Sequence, residues 1–305
     1  MQKFMTETTE KKQTAFIRKQ DALEIRKYTK NSAPLIHCIT NPISIHDCAN
    51  IILAAGARPI MAEHPDEVEE ITEVASALML NLGNITDARI MSMQRSLKTA
   101  SQKNIPVLLD LVGVTCSRLR RDFARRLLSE GHFSVIKGNI SEILAVAEMP
   151  FHGTGIDAGA QDAVSESNEA QYCEAARRLA AHLHCTVFAT GKEDLIANEK
   201  EAFLIANGHA ALSGITGTGC MVGALTAAYL PGSRTVTADV ASRAEAEGTP
   251  ETAAALLGAT TMGIAGERAA ASSRGPGSFQ AALLDEIYGL TDQQLVTGAR
   301  FRRVQ

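Results

Sequence analysis

The segment Thr216-Gly217-Thr218-Gly219-Cys220 carries the residue types that point most directly to chemistry in this sequence. Its glycines let the backbone turn tightly and direct successive N–H groups outward. The apolar run that follows predicts a helix, whose positive end adds to the attraction for an anion. We therefore interpret Gly217, Thr218, Gly219 and Cys220 as an anion hole. The same field would favour the thiolate of Cys220 as a nucleophile or general base, and the alternative is a buried structural thiol at a glycine-rich helix start.

Two common phosphate-binding loops are absent from the sequence. There is no GxxxxGKS/T pattern, and Gly191-Lys192 lacks the upstream glycine. The run Gly153-Thr154-Gly155-Ile156-Asp157-Ala158 misses the third glycine of a dinucleotide fingerprint and follows Pro150 instead of a strand. We interpret this run as a surface loop.

Two carboxylates occupy positions where a cation could bind. Asp110 ends the apolar run Val107-Leu108-Leu109, and burying a carboxylate there is costly unless it meets a cation or donors. Glu142 follows Asn139 by three residues at a predicted helix start, a spacing typical of a capping box. Glu142 could instead bind a water of hydrated Mg2+, which needs only one or two carboxylates. The spacing leaves both interpretations open.

Two further candidates lie near the start of the chain. Asn41 follows an apolar run and could cap a helix, and Met61 ends another run and could be ordinary core. A methionine at the carboxyl end of a strand is also a polarizable pocket wall, suited to a sulfur-containing aromatic ring. Spacing alone does not decide between these roles.

The composition bounds the class of protein. A chain of 305 residues and 32.5 kDa, with 45% hydrophobic and 21% charged residues, fits one large folded domain. A net charge of -4 and an aromatic content of 4% argue against nucleic acid as a partner. The uncharged stretch from Ala210 to Ser233 is interrupted by glycines, and its continuous apolar part is too short for the ~20 apolar residues that a bilayer requires. We expect no membrane partner.

The cysteines and the N-terminus indicate a cytoplasmic protein. Six cysteines are scattered without a CxxC pair or a Cys/His cluster, which is typical of reduced thiols. Residues 1–20 are charged throughout and lack the apolar core of a signal peptide, so we interpret them as a flexible leader. Residues 21–305 are interpreted as a single domain.

Short apolar runs alternate with longer amphipathic ones, which predicts strands and helices in the order β-α-β-α. The predicted strands are Leu35 to Ile39, Arg58 to Met61, Leu78 to Leu82, Val107 to Val112, Ser134 to Ile136 and Thr186 to Ala189. The predicted helices are Pro65 to Ala77, Asp87 to Ser101, Arg118 to Ser129, Ile140 to Ala147, Glu169 to His182 and Glu251 to about Ala271, with a last one after Gly277. This order predicts an α/β fold with a mostly parallel, doubly wound sheet and helices on both faces. Ligands bind beyond the carboxyl ends of the strands in such sheets.

The pattern changes toward the C-terminus. Ala202 to Ile205 and His209 to Leu212 flank Asn207-Gly208, a dipeptide typical of a tight hairpin turn. We therefore predict an antiparallel edge hairpin at these residues.

Several ordered motifs between about Ser32 and Tyr288 resemble those of one known family. They are Leu35-Ile36-His37-Cys38-Ile39-Thr40-Asn41, Pro59-Ile60-Met61-Ala62, Leu80-Asn81-Leu82-Gly83, Gly138-Asn139-x-x-Glu142, Ile215-Thr216-Gly217-Thr218-Gly219-Cys220 and Gly275-Pro276-Gly277-Ser278-Phe279. With these motifs the sequence resembles the hydroxyethylthiazole kinase family of thiamine salvage, whose fold is ribokinase-like. The Gly-Thr-Gly-Cys run is the most specific, because most ribokinase-like kinases carry Asp where this sequence has Cys220.

The resemblance implies transfer of the ATP γ-phosphate to the primary hydroxyl of 4-methyl-5-(2-hydroxyethyl)thiazole. It implies that Met61, Gly217 and Asn41 bind the thiazole substrate. It implies that Lys137 and Thr190 bind ATP.

The resemblance also implies a metal site and an assembly. Asp110 and Glu142 would hold Mg2+ or its waters, and Cys220 would lie beside the reacting hydroxyl. The family is typically a homotrimer with its sites between subunits.

The sequence departs from the family pattern at three places. Lys137 stands where the family usually has Arg, which keeps the charge and loses the planar fork. After Asp110 the family usually reads Pro-Val-Gly-Ala-Gly-Ala-Thr, whereas this chain has Leu111-Val112-Gly113-Val114-Thr115-Cys116-Ser117. The leader has no counterpart in the family pattern.

Three other functions stay open from the sequence. The chain could be another ribokinase-like kinase for a pyrimidine or pyridoxal alcohol, although Cys220 in place of Asp speaks against it. It could be a catalytically impaired thiazole-binding homologue, which the altered loop after Asp110 would support. It could also be a thiol enzyme that uses Cys220 as a covalent nucleophile, although no sequence-adjacent histidine accompanies that thiol.

Overall fold

The structure is a computed structural model that describes residues 19–152, 162–165, 167–241 and 249–304. Of the predicted leader, residues 1–18 lie outside the described residues. The glycine run at 153–158, interpreted above as a surface loop, also lies outside them.

A mixed sheet forms the centre of the molecule. Its strands are β1 Leu35–Ile39, β2 Arg58–Ile60, β3 Ala77–Asn81, β4 Val107–Asp110, β5 Val135–Asn139, β6 Thr186–Thr190, β7 Asp194–Ala197, β8 Ala202–Ile205 and β9 Phe301–Val304. Their spatial order is β2-β1-β3-β4-β5-β6-β7-β8-β9. Neighbours from β2 through β6 pair in parallel, and the pairs from β6 through β9 are antiparallel. The predicted mostly parallel sheet with an antiparallel edge is confirmed.

Helices cover both faces of this sheet. They are α1 Lys19–Ser32, α2 Ile45–Ala54, α3 Val68–Glu73, α4 Asp87–Lys103, α5 Arg118–Glu130, α6 Ile140–Val146, α7 Glu169–Leu183, α8 Thr218–Ala241, α9 Pro250–Ser272, α10 Pro276–Gly289 and α11 Asp292–Gly298. Alternate residues of the buried strands enter two separate cores. Met79 and Leu108 pack with α2, α8 and α9, whereas Leu80 and Leu109 pack with α4, α5 and α7. The predicted doubly wound arrangement is therefore confirmed.

Helix α8 lies across the centre of one face. Its residues from Met221 to Leu230 are buried, which explains the uncharged stretch that a hydropathy scan would select. None of the helices in the described ranges is long and apolar enough to cross a membrane. The apolar sequence of α8 is explained by burial inside the domain.

The predicted hairpin at Asn207-Gly208 is wrong in its position. The strand Ala202–Ile205 exists, but Ala210–Gly214 forms a 3-10 helix instead of a second strand. The Asn207 side chain binds Glu267 of α9, the Gly298 carbonyl and the Arg300 amide. These contacts hold the segment against α9, and β7 and β9 take the antiparallel places beside β8.

Other predicted boundaries shift by a few residues. The helix predicted from Pro65 to Ala77 is limited to Val68–Glu73, because Ala77 already pairs with Ile36 as the first residue of β3. Five elements were not predicted: α1, α2, β7, α11 and β9. The two at the C-terminus are short, and each depends on tertiary contacts for its stability.

Helix α1 is integrated into the domain and not part of a loose leader. Ile25 is fully buried in the core beneath α8 and α9. Beside it, the buried Arg26 guanidinium donates to the Leu290 carbonyl and to Asp292, each at 2.5 Å. Arg26 therefore fastens α1 to the segment that joins α10 to α11.

We expect Arg26→Ala to lower the free energy of unfolding by about 3 kcal/mol, because it leaves the buried Leu290 carbonyl without its donor. The matched control is Arg268→Ala, which removes a more exposed pair with Glu286 and should cost less than about 1 kcal/mol. Urea unfolding followed by circular dichroism measures both changes. Equal losses in the two variants would contradict a structural role for Arg26.

Candidate active site

Three polar side chains lie in one row at the carboxyl ends of neighbouring strands. Asn81 of β3 pairs in register with Asp110 of β4, and Asp110 pairs with Lys137 of β5. Residues in register on adjacent strands point to the same face of a sheet, so these side chains meet beneath the start of α8. The row explains why Asp110 ends an otherwise apolar strand.

Asp110 and Lys137 form a buried ion pair in this row. The Lys137 Nζ lies 3.2 Å from Asp110 Oδ2, and the two residues are 3% and 0% exposed. Burial raises the pKa of Asp110, and the charge of Lys137 opposes part of that rise. Burial would lower the pKa of Lys137, but Asp110 together with Cys220 and Glu142 offsets it, and the net shift is upward. Each charge therefore depends on its partner.

Two glycines in the first turns of α8 lie directly against this ion pair. A Cβ at Gly219 would stand 3.4 Å from Lys137 Nζ, and a Cβ at Gly223 would stand 3.3 Å from Asp110 Oδ2. Gly219 and Gly223 are four residues apart and so lie on one face of the helix. The absence of side chains on that face lets α8 approach the buried charges.

Gly217 makes the turn that leads into α8. Its φ of +88° is a conformation that residues with a side chain rarely adopt. As the first residues of a helix, Thr218, Gly219 and Cys220 have no intrahelical partner for their N–H groups. These residues are half-buried or buried, while the preceding Thr216 is exposed. The N–H groups at the start of α8 therefore have no helical partner, and their role as an anion hole stays a prediction.

Cys220 accepts two hydrogen bonds from side-chain amides. Asn41 Nδ2 lies 3.3 Å and Asn81 Nδ2 lies 3.2 Å from the sulfur. Asn41 also donates to Asn81 Oδ1 at 3.1 Å, so the three side chains form one cluster. The structure thus joins residues from the loop after β1, from β3 and from α8.

The surroundings of Cys220 oppose the thiolate that the helix terminus would favour. Burial, together with the charge of Asp110, raises the pKa of the Cys220 thiol, although Lys137 and neighbouring hydrogen bonds oppose the rise. The positive end of α8 does not outweigh these effects. The net shift of the Cys220 pKa is upward, so its surroundings favour the protonated thiol.

Glu142 forms the capping box that its spacing predicts. The capping box is present, since Asn139 Oδ1 accepts from the Glu142 amide and Glu142 Oε2 accepts from the Asn139 amide. The other oxygen, Oε1, accepts from the Gly113 amide at 2.7 Å, in the loop after β4. Burial and the charge of Asp110 raise the pKa of Glu142 to about 7, although Lys137 and the two amides oppose the rise. Glu142 thus caps α6 and lies within the electrostatic influence of the ion pair.

The other predicted site residues lie around this cluster. Thr190 ends β6, and its hydroxyl donates to the Gly138 carbonyl at 3.3 Å. Met61 follows β2, is half-buried, and packs against the core that contains α8. Asn41 accepts a bond from the Ser44 amide and does not itself cap α2, which begins after Ser44. No hydrogen bond connects Met61 or Thr190 with Cys220.

Comparisons with known proteins identify the family of this chain. The model of the hydroxyethylthiazole kinase family matches residues 26–293. The chain is 45% identical over 278 residues to hydroxyethylthiazole kinase 2 of Clostridium botulinum (strain 657 / Type Ba4), covering 91% of this chain and 98% of that protein. It is 39% identical over 275 residues to the hydroxyethylthiazole kinase of Clostridium acetobutylicum, covering 89% and 96%. The chain belongs to the hydroxyethylthiazole kinase family.

Solved structures identify the fold of this chain. The hydroxyethylthiazole kinase of Pyrococcus horikoshii OT3 matches with a TM-score of 0.78 at 30% identity, covering 94% of this chain and 100% of that chain. A ribokinase-like superfamily protein of Enterococcus faecalis V583 matches with a TM-score of 0.53 at 13% identity, covering 89% and 94%. The second match shows the shared fold alone. The fold is ribokinase-like, as the resemblance implied.

Two residues of the cluster were not predicted as site residues. Asn81 ends β3 in the same manner that Asp110 ends β4, so a polar residue after an apolar run was an available signal. Gly223 follows Gly219 by four residues, a spacing that predicts a bare helix face. Neither signal shows which residues Asn81 or Gly223 would contact. Those contacts depend on the pairing of β3 with β4, which joins distant parts of the sequence.

Asp110 and Glu142 fit a hydrated divalent cation better than a closed metal site. In the described ranges no group of three or more His, Cys, Asp and Glu side chains could hold a metal ion. Mg2+ keeps several waters and needs only one or two carboxylates. Burial, together with the charge of Asp110, raises the pKa of Glu142, and a bound cation would oppose that rise.

A cavity of about 440 Å³ lies at the opposite end of the sheet. Its lining residues Asn104 and Ser134 precede β4 and β5, so it opens at the amino ends of the strands. Arg234 also lines the cavity, and its guanidinium donates to Glu251, Asn104 and Ser134. The cavity is therefore separate from the active-site cluster and offers it no residue.

Glu142 should give the metal-free protein a distinctive pH dependence. A folded Glu142 keeps its proton to about pH 7, whereas an unfolded glutamate loses it near pH 4.5. Between these values the unfolded state binds fewer protons, so the contribution of Glu142 to the free energy of unfolding falls as pH rises, by up to about 3 kcal/mol.

We expect Glu142→Gln to flatten this dependence and to reduce turnover, with a loss of about 1 kcal/mol at neutral pH from one weakened amide contact. Urea unfolding of both proteins from pH 4.5 to 7.5 in the presence of a chelator measures the difference. Parallel stability curves, or normal turnover with a large stability loss, would mean that Glu142 acts only as a cap.

Proposed function

We propose that this chain transfers the γ-phosphoryl group of ATP to the primary hydroxyl of 4-methyl-5-(2-hydroxyethyl)thiazole, in thiamine biosynthesis and salvage. The observation that carries the proposal is the position of Cys220. Its sulfur is held by Asn41 and Asn81, and its helix begins directly above the Lys137–Asp110 pair. An acceptor hydroxyl and a phosphoryl group can therefore meet between this thiol and the N–H groups at the start of α8.

The thiazole ring would bind on the side of β1 and β2. Met61 supplies a polarizable sulfur at the end of β2, and Asn41 and Gly217 border the cluster that contains Cys220. Gly217 also lies against Ser44, because a Cβ there would stand 3.4 Å from the Ser44 Cβ. This close packing makes Gly217 a wall of the proposed thiazole site.

ATP would bind on the side of β5 and β6. Lys137 and Thr190 lie on these neighbouring strands, and the amides of Gly217, Thr218, Gly219 and Cys220 face the position of the transferred group. Catalysis of phosphoryl transfer depends on positioning and on charge stabilisation. Lys137 has a single ammonium and no planar fork. It shares that ammonium with Asp110.

In the transfer, the hydroxyl oxygen bonds to the γ-phosphorus while the bond to the bridging oxygen breaks and ADP leaves with its electron pair. The nucleophile loses its proton late in a loose transition state, so a strong base is not required. This fits a neutral thiol whose pKa is raised by burial. Cys220 therefore positions the hydroxyl, and its ionised fraction accepts the proton.

Asp110 and Glu142 would hold Mg2+ through its waters. When bound, Mg2+ neutralises charge on the phosphates. The protein's contribution is to fix the two carboxylates: Lys137 and the Val112 amide bind Asp110, and the Gly113 and Asn139 amides bind Glu142. The lone pairs that these bonds leave unused are available to metal-bound water.

We also propose a cytoplasmic homotrimer with its sites between subunits. Ile43 is 61% exposed and lies in the loop that carries Asn41 and Ser44. A single exposed isoleucine is ordinary at a protein surface, so the trimer is proposed from the family resemblance. All six cysteines are free thiols, as expected in a reducing compartment.

Two alternative functions lose support from the geometry. A catalytically impaired homologue was suggested by the altered loop after Asp110, yet Gly113 of that loop still binds Glu142. A covalent thiol enzyme needs an ionised sulfur with a base beside it, but the donors at Cys220 are amides and its pKa is raised.

The deciding experiment incubates the purified protein with Mg-ATP and the thiazole alcohol and identifies the monophosphate by mass spectrometry. We expect product that requires both ATP and protein and that is lost when a chelator removes Mg2+. Product no greater than in an enzyme-free control would refute the kinase assignment. Parallel reactions with a pyrimidine alcohol and with pyridoxal test the nearest kinase alternatives.

We expect Cys220→Asp to retain kinase activity within about tenfold, because a carboxylate can accept the same amide donors and is ionised at neutral pH. Cys220→Ala should lower kcat by about 10- to 100-fold, since it removes the hydroxyl's partner and leaves the amides without an acceptor. Cys185→Ala, at the other end of the sheet, is the control and should be unchanged. A stable substrate adduct at Cys220 during turnover, or complete loss of activity in Cys220→Asp, would instead favour covalent catalysis.

A further inference from the structure

Arg120, in the first turn of α5, reaches back over the loop that follows β4. Its Nη1 lies 1.9 Å from the point where a Cβ of residue 113 would stand. That space exists because residue 113 is glycine, with a φ of +80°. The guanidinium therefore lies directly against the Gly113 backbone, whose amide binds Glu142.

The guanidinium of Arg120 has no partner within the described part of the chain. The Arg120 backbone amide donates to the cap residue Ser117, but no hydrogen bond or ion pair engages the Arg120 side chain. The residue is half-buried, so its charge is partly withdrawn from water without compensation. Five donors in a fixed planar fork are thus available beside the proposed metal carboxylates.

Neighbouring cations differ from Arg120 in this respect. Lys137 is already paired with Asp110, so that pair adds little net positive charge to the site. Arg121 donates to the Val114 and Thr115 carbonyls and holds the loop in shape. Arg118 is exposed at the surface. Arg120 is the cation at this loop that is both near Glu142 and free of a protein partner in the residues that the structure describes.

We infer that Arg120 binds the phosphate chain of ATP, donating its planar fork to phosphate oxygens beside Glu142. This inference rests on the proposed kinase function and adds a residue to its ATP site. A nucleoside triphosphate with its cation brings excess negative charge, which an unpaired guanidinium matches in sign and geometry. Arg120 thereby supplies the bidentate contact that the ammonium of Lys137 cannot make.

The test measures binding of Mg-ATP by titration calorimetry and the KM for each substrate. Arg120→Gln should weaken Mg-ATP binding and raise the KM for ATP by about tenfold or more, with the KM for the thiazole alcohol within twofold. Arg120→Lys keeps the charge and loses the fork, so it should fall between wild type and Arg120→Gln. The melting temperature should stay unchanged, because the guanidinium makes no contact that stabilises the fold.

Arg118→Gln is the matched control, because it removes the same charge from the same helix turn and should change Mg-ATP binding less than twofold. Arg120→Gln that binds Mg-ATP within twofold of Arg118→Gln would overturn the inference. If Arg120→Gln fails to fold, an Arg120→Lys protein that binds Mg-ATP as tightly as wild type would also overturn the inference. Calorimetry does not require turnover, so wild-type protein that binds Mg-ATP but phosphorylates no thiazole alcohol would refute the proposed function and leave the Arg120 result interpretable.

Discussion

The buried ion pair between Asp110 and Lys137 is the interaction on which the rest of the active site depends. Taking two charges out of water is expensive, and their attraction repays that cost only when additional bonds complete the geometry. Here the Val112 amide binds Asp110, and the charges of Cys220 and Glu142, when present, would favour the ammonium. Removing either partner would leave the other charge buried and unpaired. The cost of burying this pair is therefore better explained by the polar row that it creates at the end of an apolar sheet.

The ion pair also explains the composition of the first turns of α8. A helix can lie directly above two buried charges only if its facing side is bare, and Gly219 and Gly223 provide that side. The sulfur of Cys220 then points to the neighbouring position, where the amides of Asn41 and Asn81 bind it. The glycine-rich segment therefore combines two functions: it turns the chain at Gly217, and it brings the N–H groups of a helix within reach of the row on β3, β4 and β5.

The sequence was informative where chemistry and local structure coincide, and less so where distant segments meet. The strand ends at Asp110 and the capping box at Glu142 are local patterns, so both could be read from spacing. The bond from Gly113 to Glu142 joins residues 29 positions apart, and no local pattern contains it. The hairpin at Asn207 failed for the same reason, because Glu267 and Arg300 use the polar atoms that an isolated turn would leave free. The thiolate expected at Cys220 came from the helix terminus alone and omitted the nearby charge of Asp110.

The raised pKa values of Glu142 and Cys220 have one common origin. Both groups are buried near the negative charge of Asp110, and Lys137 opposes the rise in each without cancelling it. Burial and the charge of Asp110 therefore outweigh the effect of Lys137 on both groups. Arrival of a cation at the carboxylates would favour the ionised form of Glu142 and would weaken the effect of Asp110 on the thiol. Loading of the proposed site with a phosphate donor and its cation would therefore shift both groups toward their ionised forms.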